Sequence, residues 1–140
     1  MPIVRLAEQA DLRDVKSLAD CHRKEIGFLP RAAFEESALH QCLIVACDDK
    51  GVVGFTRFRH RRDGVTVIYE ICSQLSGSGA GGQMIDWLKA DCREHGQRSI
   101  ILKCPSDLPS NRFYESKGFR KVGVEAGKAQ PLNIWSLEVS

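Results

Sequence analysis

What the sequence lacks narrows the field first. No apolar run approaches the roughly 18 residues needed to cross a bilayer. The opening Met-Pro-Ile-Val-Arg-Leu has no long apolar core of the kind secretory signals carry. Net charge is only +2 over 140 residues, too mild an excess to imply a nucleic-acid partner. The six cysteines form no C-x-x-C pair, and the four histidines have no ligand-like spacing with them. No internal repeat and no linker-like stretch divides the chain. These absences predict a single domain over residues 1–140, cytoplasmic, with reduced thiols and no metal. Neither a membrane nor a nucleic acid is expected as partner.

What is present fits that outline. Apolar residues make up 43% and charged residues 27%, the balance of a soluble globular chain long enough for one core. "PIVRLA" reads as a first strand, and Asp11 as the cap of a helix whose stripe is Leu12, Val15, Leu18 and Ala19. "PRAAFEESALHQ" reads as a weaker helix. Cys42 to Arg59 reads as a hairpin turning at "DDKG". "VTVIYEICS" is β-branched and aromatic, a strand expected to be buried on both faces. A helix follows from about Gly81 to Glu94, with Met84, Trp87 and Leu88 on its apolar face and Ile85 and Cys92 at the edge of it. "SIILKC" is a strand, "SNRFYESKG" a short helix, and "FRKVGVE" and "LNIWSLEV" are closing strands. The order predicts a mixed α/β fold with one central β-loop-α crossover.

The loop of that crossover, "SQLSGSGAGGQMIDW", is the most informative stretch. Glycines at 77, 79, 81 and 82 let backbone N–H groups approach a ligand, and the helix that follows adds a positive dipole. A pyrophosphate suits such a cradle; a bare strand-to-helix turn is the plainer reading. No lysine lies between Ser73 and Leu88, which excludes a P-loop. Gly77, Gly79 and Gly82 match G-x-G-x-x-G literally, but some 70 residues precede them and too few follow for a dinucleotide-binding domain. A third pattern, Q/R-x-x-G-x-G/A, is met by Gln74, Gly77 and Gly79, or with Ser76 in the first place.

With that loop the chain resembles the GNAT family, the GCN5-related N-acetyltransferases. A second segment, "DLPSNRFYESKGF", is similar to the family's N-x-x-A-x-x-x-Y-x-x-x-G-F signature. Ser110 takes the small-residue place, Tyr114 the tyrosine and Gly118-Phe119 the ending. Asp107 stands where asparagine is usual and reads as a helix cap, while Asn111 nearby offers an amide. "VTVIYEIC" resembles the family's central strand. The resemblance implies a GNAT-like fold: a central, mixed, mostly antiparallel twisted sheet with helices on both faces.

The function implied is transfer of acetyl from acetyl-CoA to an amine by direct attack. By resemblance, the pyrophosphate falls to Gln74, Gly77, Ser78, Gly79, Ala80, Gly81 and Gly82, with Asn111 nearby. The pantetheine arm falls to the main chain at Ile71 and Cys72, and Tyr114 assists departure of the thiolate. The alternative for Tyr114 is an ordinary core aromatic on its helix, as Phe113 beside it is expected to be. Glu70 is read from the residues themselves: desolvation of a carboxylate in so apolar a strand is expected to raise its pKa toward that of a general base. The equal alternative is a structural partner for an arginine of "RFRHRR", a segment otherwise read as a solvated hairpin end.

The acceptor is expected to be a small-molecule or peptide amine, shaped by "CHRKEIGFLPRAAF" and "GVEAGKAQPLN". A homodimer is compatible with these features. Two other classes remain open, a catalytically silent acyl-CoA-binding module and a small dinucleotide-dependent oxidoreductase.

Overall fold

The structure is a computed structural model and describes residues 2–74 and 79–139. Seven strands form a mixed sheet in the order β1-β2-β3-β4-β5-β7-β6. They are β1 (Ile3–Leu6), β2 (Leu43–Asp48), β3 (Gly51–His60), β4 (Val65–Ser73), β5 (Ser99–Pro105), β6 (Arg120–Glu125) and β7 (Leu132–Glu138). The helices are α1 (Leu12–Cys21), α2 (Arg23–Ile26), α3 (Arg31–Leu39), α4 (Ala80–Glu94) and α5 (Ser110–Ser116). Backbone contacts divide the chain into two compact units. One takes the residues up to Arg59 with Tyr69–Leu88, the other His60–Ile68 with the residues from Lys89 onward.

In the first unit, β1 and β3 flank β2 with antiparallel pairing. Its core joins Leu12, Val15, Leu18 and Ala19 of α1 to Phe34 of α3, Leu43 and Val45 of β2, Phe55 of β3 and Cys72 of β4. Each such large side chain contributes about 1.5–3 kcal/mol by leaving water. Phe34 and Phe55 meet edge to face, with ring centroids 5.4 Å apart. Asp11 does not cap α1 with its side chain. It closes a preceding 3₁₀ turn (Gln9–Asp11), where its carboxylate accepts the Glu8 backbone N–H at 2.7 Å. The Arg5 guanidinium bonds the same carboxylate at 2.7 and 2.9 Å and holds its pKa below the usual value. Asp11 thus answers Glu8 in a reciprocal capping box.

In the second unit, β7 lies between β5 and β6 and pairs antiparallel with both. The parallel ladder between β4 and β5 joins Val65–Val67 to Ser99–Ile101 among the described residues. Ile100, Leu102, Cys104, Tyr114, Phe119, Trp135 and Leu137 are buried. The Trp135 indole N–H donates to the Asn111 side-chain oxygen at 2.9 Å.

Two sequence expectations need correction. β4 is not buried on both faces: Thr66, Ile68 and Cys72 are covered, but Tyr69 is 47% exposed. Its ring lies 4.8 Å from the Arg57 guanidinium, an amphipathic surface contact. On α4, Ile85 and Cys92 are fully buried with Met84 and Leu88, whereas Trp87 stays partly covered, 6.3 Å from the Phe58 ring.

Candidate functional site

The candidate residues fall into both units. In the first, β4 brings Glu70, Ile71 and Cys72 toward its C-terminal end. Gln74 leaves the strand exposed, its backbone N–H donating to the Val53 carbonyl of β3 at 2.7 Å. Main-chain groups alternate sides along a strand. Since Gln74 bonds toward β3, Cys72 shares that side, and Ile71 presents its N–H and C=O along the opposite edge. The chain is described again from Gly79; Gly77 and Ser78 lie outside the described residues, as does Ser76.

Gly79 is exposed, with φ at +86°, and an added Cβ there would meet nothing within 4 Å. The φ is one that side chains resist; the space beside it is open. Ala80, Gly81 and Gly82 then form the first turn of α4, and Gln83 N–H donates to the Gly79 carbonyl at 3.0 Å. The leading N–H groups of a helix have no helical carbonyl to meet, and a 15-residue helix adds the positive end of its dipole. Two features seat this turn. Met84 accepts a 3.3 Å hydrogen bond from the buried Thr56 hydroxyl of β3. Gly54 of β3 leaves no room for a side chain, since a Cβ would stand 2.9 Å from the Cys72 carbonyl oxygen and 3.1 Å from the Met84 methyl.

Glu70 shares the covered side of β4 with Ile68 and Cys72, as alternation predicts. Its two carboxylate oxygens accept from Arg57 Nε at 2.6 Å and Nη2 at 3.1 Å. The arginine is therefore half-buried and paired, not part of a solvated hairpin end; Arg59 alone of that strand pair is exposed. This bidentate pairing goes with the arginine-paired alternative for Glu70. Burial pushes the Cys72 thiol up to about 12, which leaves it protonated and a poor nucleophile at neutral pH.

In the second unit, α5 carries Tyr114 inward, 6% exposed, against Phe119 at 5.8 Å between ring centroids. Phe113 is only partly covered, with Lys117 above its ring. Among the described residues the Tyr114 hydroxyl makes no hydrogen bond. Burial first, and the nearby Cys104 thiol second, raise its pKa well above the usual phenol value. Asn111 is occupied: its amide donates to the Pro105 and Leu108 carbonyls, both at 2.8 Å, and its oxygen accepts from Asn133 and Trp135. No donor is left to it for a ligand, because its two N–H bonds already shape the turn into α5. Asp107 makes no capping bond; Leu108 and Pro109 instead accept the first N–H groups of α5, from Asn111 and Arg112.

One grouping escapes the sequence reading. His60 at the end of β3, Asp91 on the last turn of α4 and His95 just past that helix bring one ligand-type atom each within 4.8 Å of one another. The helical spacing of Asp91 and His95 is visible in the sequence; the arrival of His60 depends on the fold.

The matching family description is Acetyltransferase (GNAT) family, over residues 11–119. No curated protein matches. Among solved structures, Ard1 from Thermoplasma volcanium superposes with a TM-score of 0.87 at 18% identity, covering 99% of this chain and 98% of that one. A putative GNAT acetyltransferase from Desulfovibrio desulfuricans gives 0.82 at 20% identity, covering both chains fully. The putative acetyltransferase yncA from Salmonella typhimurium, solved with its cofactor acetyl-CoA, gives 0.81 at 18%, covering 99% and 94%. Identities at this level speak for the fold; the family match, which spans most of the chain, speaks for kinship. The fold, the glycine-led helix after β4 and that match agree: the chain belongs to the GNAT acetyltransferase family.

Proposed function

We propose that the protein is an N-acetyltransferase that takes acetyl from acetyl-CoA and passes it to an amine by direct attack, both substrates being bound together. The observation that carries this reading is the start of α4, where Gly79, Gly81 and Gly82 keep side chains away from the positive end of a well-seated helix. That donor set suits a pyrophosphate. The edge of β4 at Ile71, facing away from β3, suits the amide-bearing pantetheine arm as a strand-like partner.

Acetyl-CoA would supply the activated thioester. The first turn of α4, with Gln74 and the loop glycines, holds the diphosphate; the main chain at Ile71 and Cys72 orients the arm. Tyr114 stabilises the departing thiolate. Its raised pKa keeps the phenol protonated, and a thiolate (thiol pKa about 8.5) is a weaker base than this phenolate. Tyr114 therefore acts by donating a hydrogen bond more than by surrendering its proton. Glu70, held by Arg57, keeps the end of β4 in place and is not assigned the amine's proton, which passes to water. The acceptor class is a small-molecule or peptide amine.

Thermal unfolding with acetyl-CoA, CoA or NADH, each at about 1 mM, tests the cradle. A ligand at roughly a hundred times its Kd adds about 2.7 kcal/mol, a rise of several degrees in Tm for a domain of this size. A rise with both CoA species and none with NADH is expected. No rise with either CoA species overturns the proposal. A rise without turnover over a panel of amines leaves a binding module.

A further inference from the structure

We propose that His60, Asp91 and His95 form a binding site for one divalent transition-metal ion of the zinc type, at the end of α4 remote from its glycine-led start. Two of the chain's four histidines meet one carboxylate there. His60 Nε2 lies 2.8 Å from Asp91 Oδ2, and His95 Nδ1 lies 3.7 Å from the same oxygen. The two imidazoles stack with centroids 4.6 Å apart. All three residues belong to the second unit.

The partners behind the ligands match what a metal site needs. A ligating histidine is oriented by the hydrogen bond its other nitrogen makes. His60 Nδ1 is 2.7 Å from the Thr66 hydroxyl, which is fully buried and also receives the Cys92 thiol at 3.3 Å. His95 Nδ1 is 2.8 Å from the Asp91 carbonyl, so in the metal-free protein that nitrogen carries the proton, and the ring turns to offer its other nitrogen's lone pair to the ion. Without metal, His60 Nε2–H donates to Asp91, and the set is self-consistent. With metal at His60 Nε2, the ring proton moves to Nδ1 and is donated to the Thr66 hydroxyl oxygen, so the imidazole stays neutral.

Geometry permits the exchange. Ligand atoms 2.0–2.1 Å from a tetrahedral ion stand roughly 3.3–3.4 Å apart. The present limit of 4.8 Å must therefore close by about 1.4 Å. His95 can supply that by turning, because its side chain is 54% exposed. The same exposure leaves the fourth position to water. Two imidazoles and a carboxylate favour zinc, nickel, cobalt or copper over magnesium or calcium, which prefer all-oxygen shells. Thr66, Cys92 and the paired His60 otherwise suggest a hydroxyl–imidazole–carboxylate relay, but the Thr66 hydroxyl is sealed from any substrate.

The test is calorimetric titration of the full chain with Zn²⁺, accompanied by X-ray absorption at the zinc edge. One ion per chain is expected, in a shell of nitrogen and oxygen at about 2.0–2.1 Å. His95→Ala should weaken binding at least about tenfold while leaving metal-free Tm nearly unchanged, since its ring is largely solvated. Asp91→Asn, which can still pair with His60, should weaken it similarly and serves as the second variant. The cysteines are the rival ligands, with Cys21 exposed and Cys42 and Cys47 partly so. A sulfur shell near 2.3 Å, the absence of saturable one-to-one binding, or unchanged affinity in both variants overturns the proposal.

Discussion

Glu70 and Arg57 grip each other through two hydrogen bonds with side chains 10% and 20% exposed. Glu70→Gln leaves the half-buried guanidinium facing a neutral amide, and should cost about 1–3 kcal/mol. Urea denaturation, with midpoint and slope compared, checks it. Tyr114→Phe should behave in the opposite way. Its hydroxyl bonds no described residue, so stability should change by less than about 1 kcal/mol. Turnover should fall by about ten- to a hundredfold with Kd for CoA unchanged, as steady-state kinetics beside calorimetry would read. Cys72 sets a pH dependence. Its folded pKa is raised to about 12, while an unfolded thiol ionises near 8.5. The unfolded chain therefore holds fewer protons between these values, and stability falls as pH rises through that window. Wild type should lose more stability than Cys72→Ala between about pH 8 and pH 11. At this scale the sequence was only partly legible. Glu70 stood out because a carboxylate in an apolar strand needs a reason, but its partner thirteen positions away, Arg57, could be singled out only once the hairpin had formed. Asn111 looked available because nothing local shows that Trp135 and Asn133 come to claim its oxygen.

At the scale of elements, α4 is set up by opposing demands at its start. A carboxylate in a first turn stabilises a helix by about 0.3–1 kcal/mol through the dipole, yet repels a diphosphate bound at that end. Gly81→Asp should accordingly leave Tm of the free protein unchanged or higher, and weaken acetyl-CoA binding at least about tenfold. Calorimetry and thermal unfolding on one sample distinguish the two signs. Gly54→Ala probes the other side of the same contact. Its methyl would press on the Cys72 carbonyl, which is backbone and cannot swing aside, at a cost of about 1–3 kcal/mol. The elements were the most legible part of the sequence. The strands, the hairpin, α3, α4 and α5 follow from period and turn chemistry, which act over neighbouring residues. The reciprocal cap at Glu8 and Asp11 was missed because it depends on a short 3₁₀ turn ahead of α1, which carries no apolar stripe. Exposure of Tyr69 was missed because its cover is decided by Arg57 on the adjacent strand.

On the scale of the whole molecule, the division into units does not follow the chain. Its boundaries fall inside β3, β4 and α4, so neither unit is one continuous stretch. A fragment ending at Leu88 keeps Val65–Val67 but loses Ser99–Ile101, their parallel partners. That fragment should show no cooperative melt by circular dichroism, whereas the full chain should melt sharply. Sequence alone gave no hint of this partition, because strand partners distant along the chain are invisible to local pattern. The two tryptophans turn it to use. Trp87 belongs to the first unit, beside Phe58 and partly covered; Trp135 belongs to the second, 5% exposed with its indole N–H bound to Asn111. Trp87→Phe and Trp135→Phe would each leave a single emitter. Each half of the protein thus carries its own built-in fluorophore, with Trp135 the bluer and the less open to a dissolved quencher.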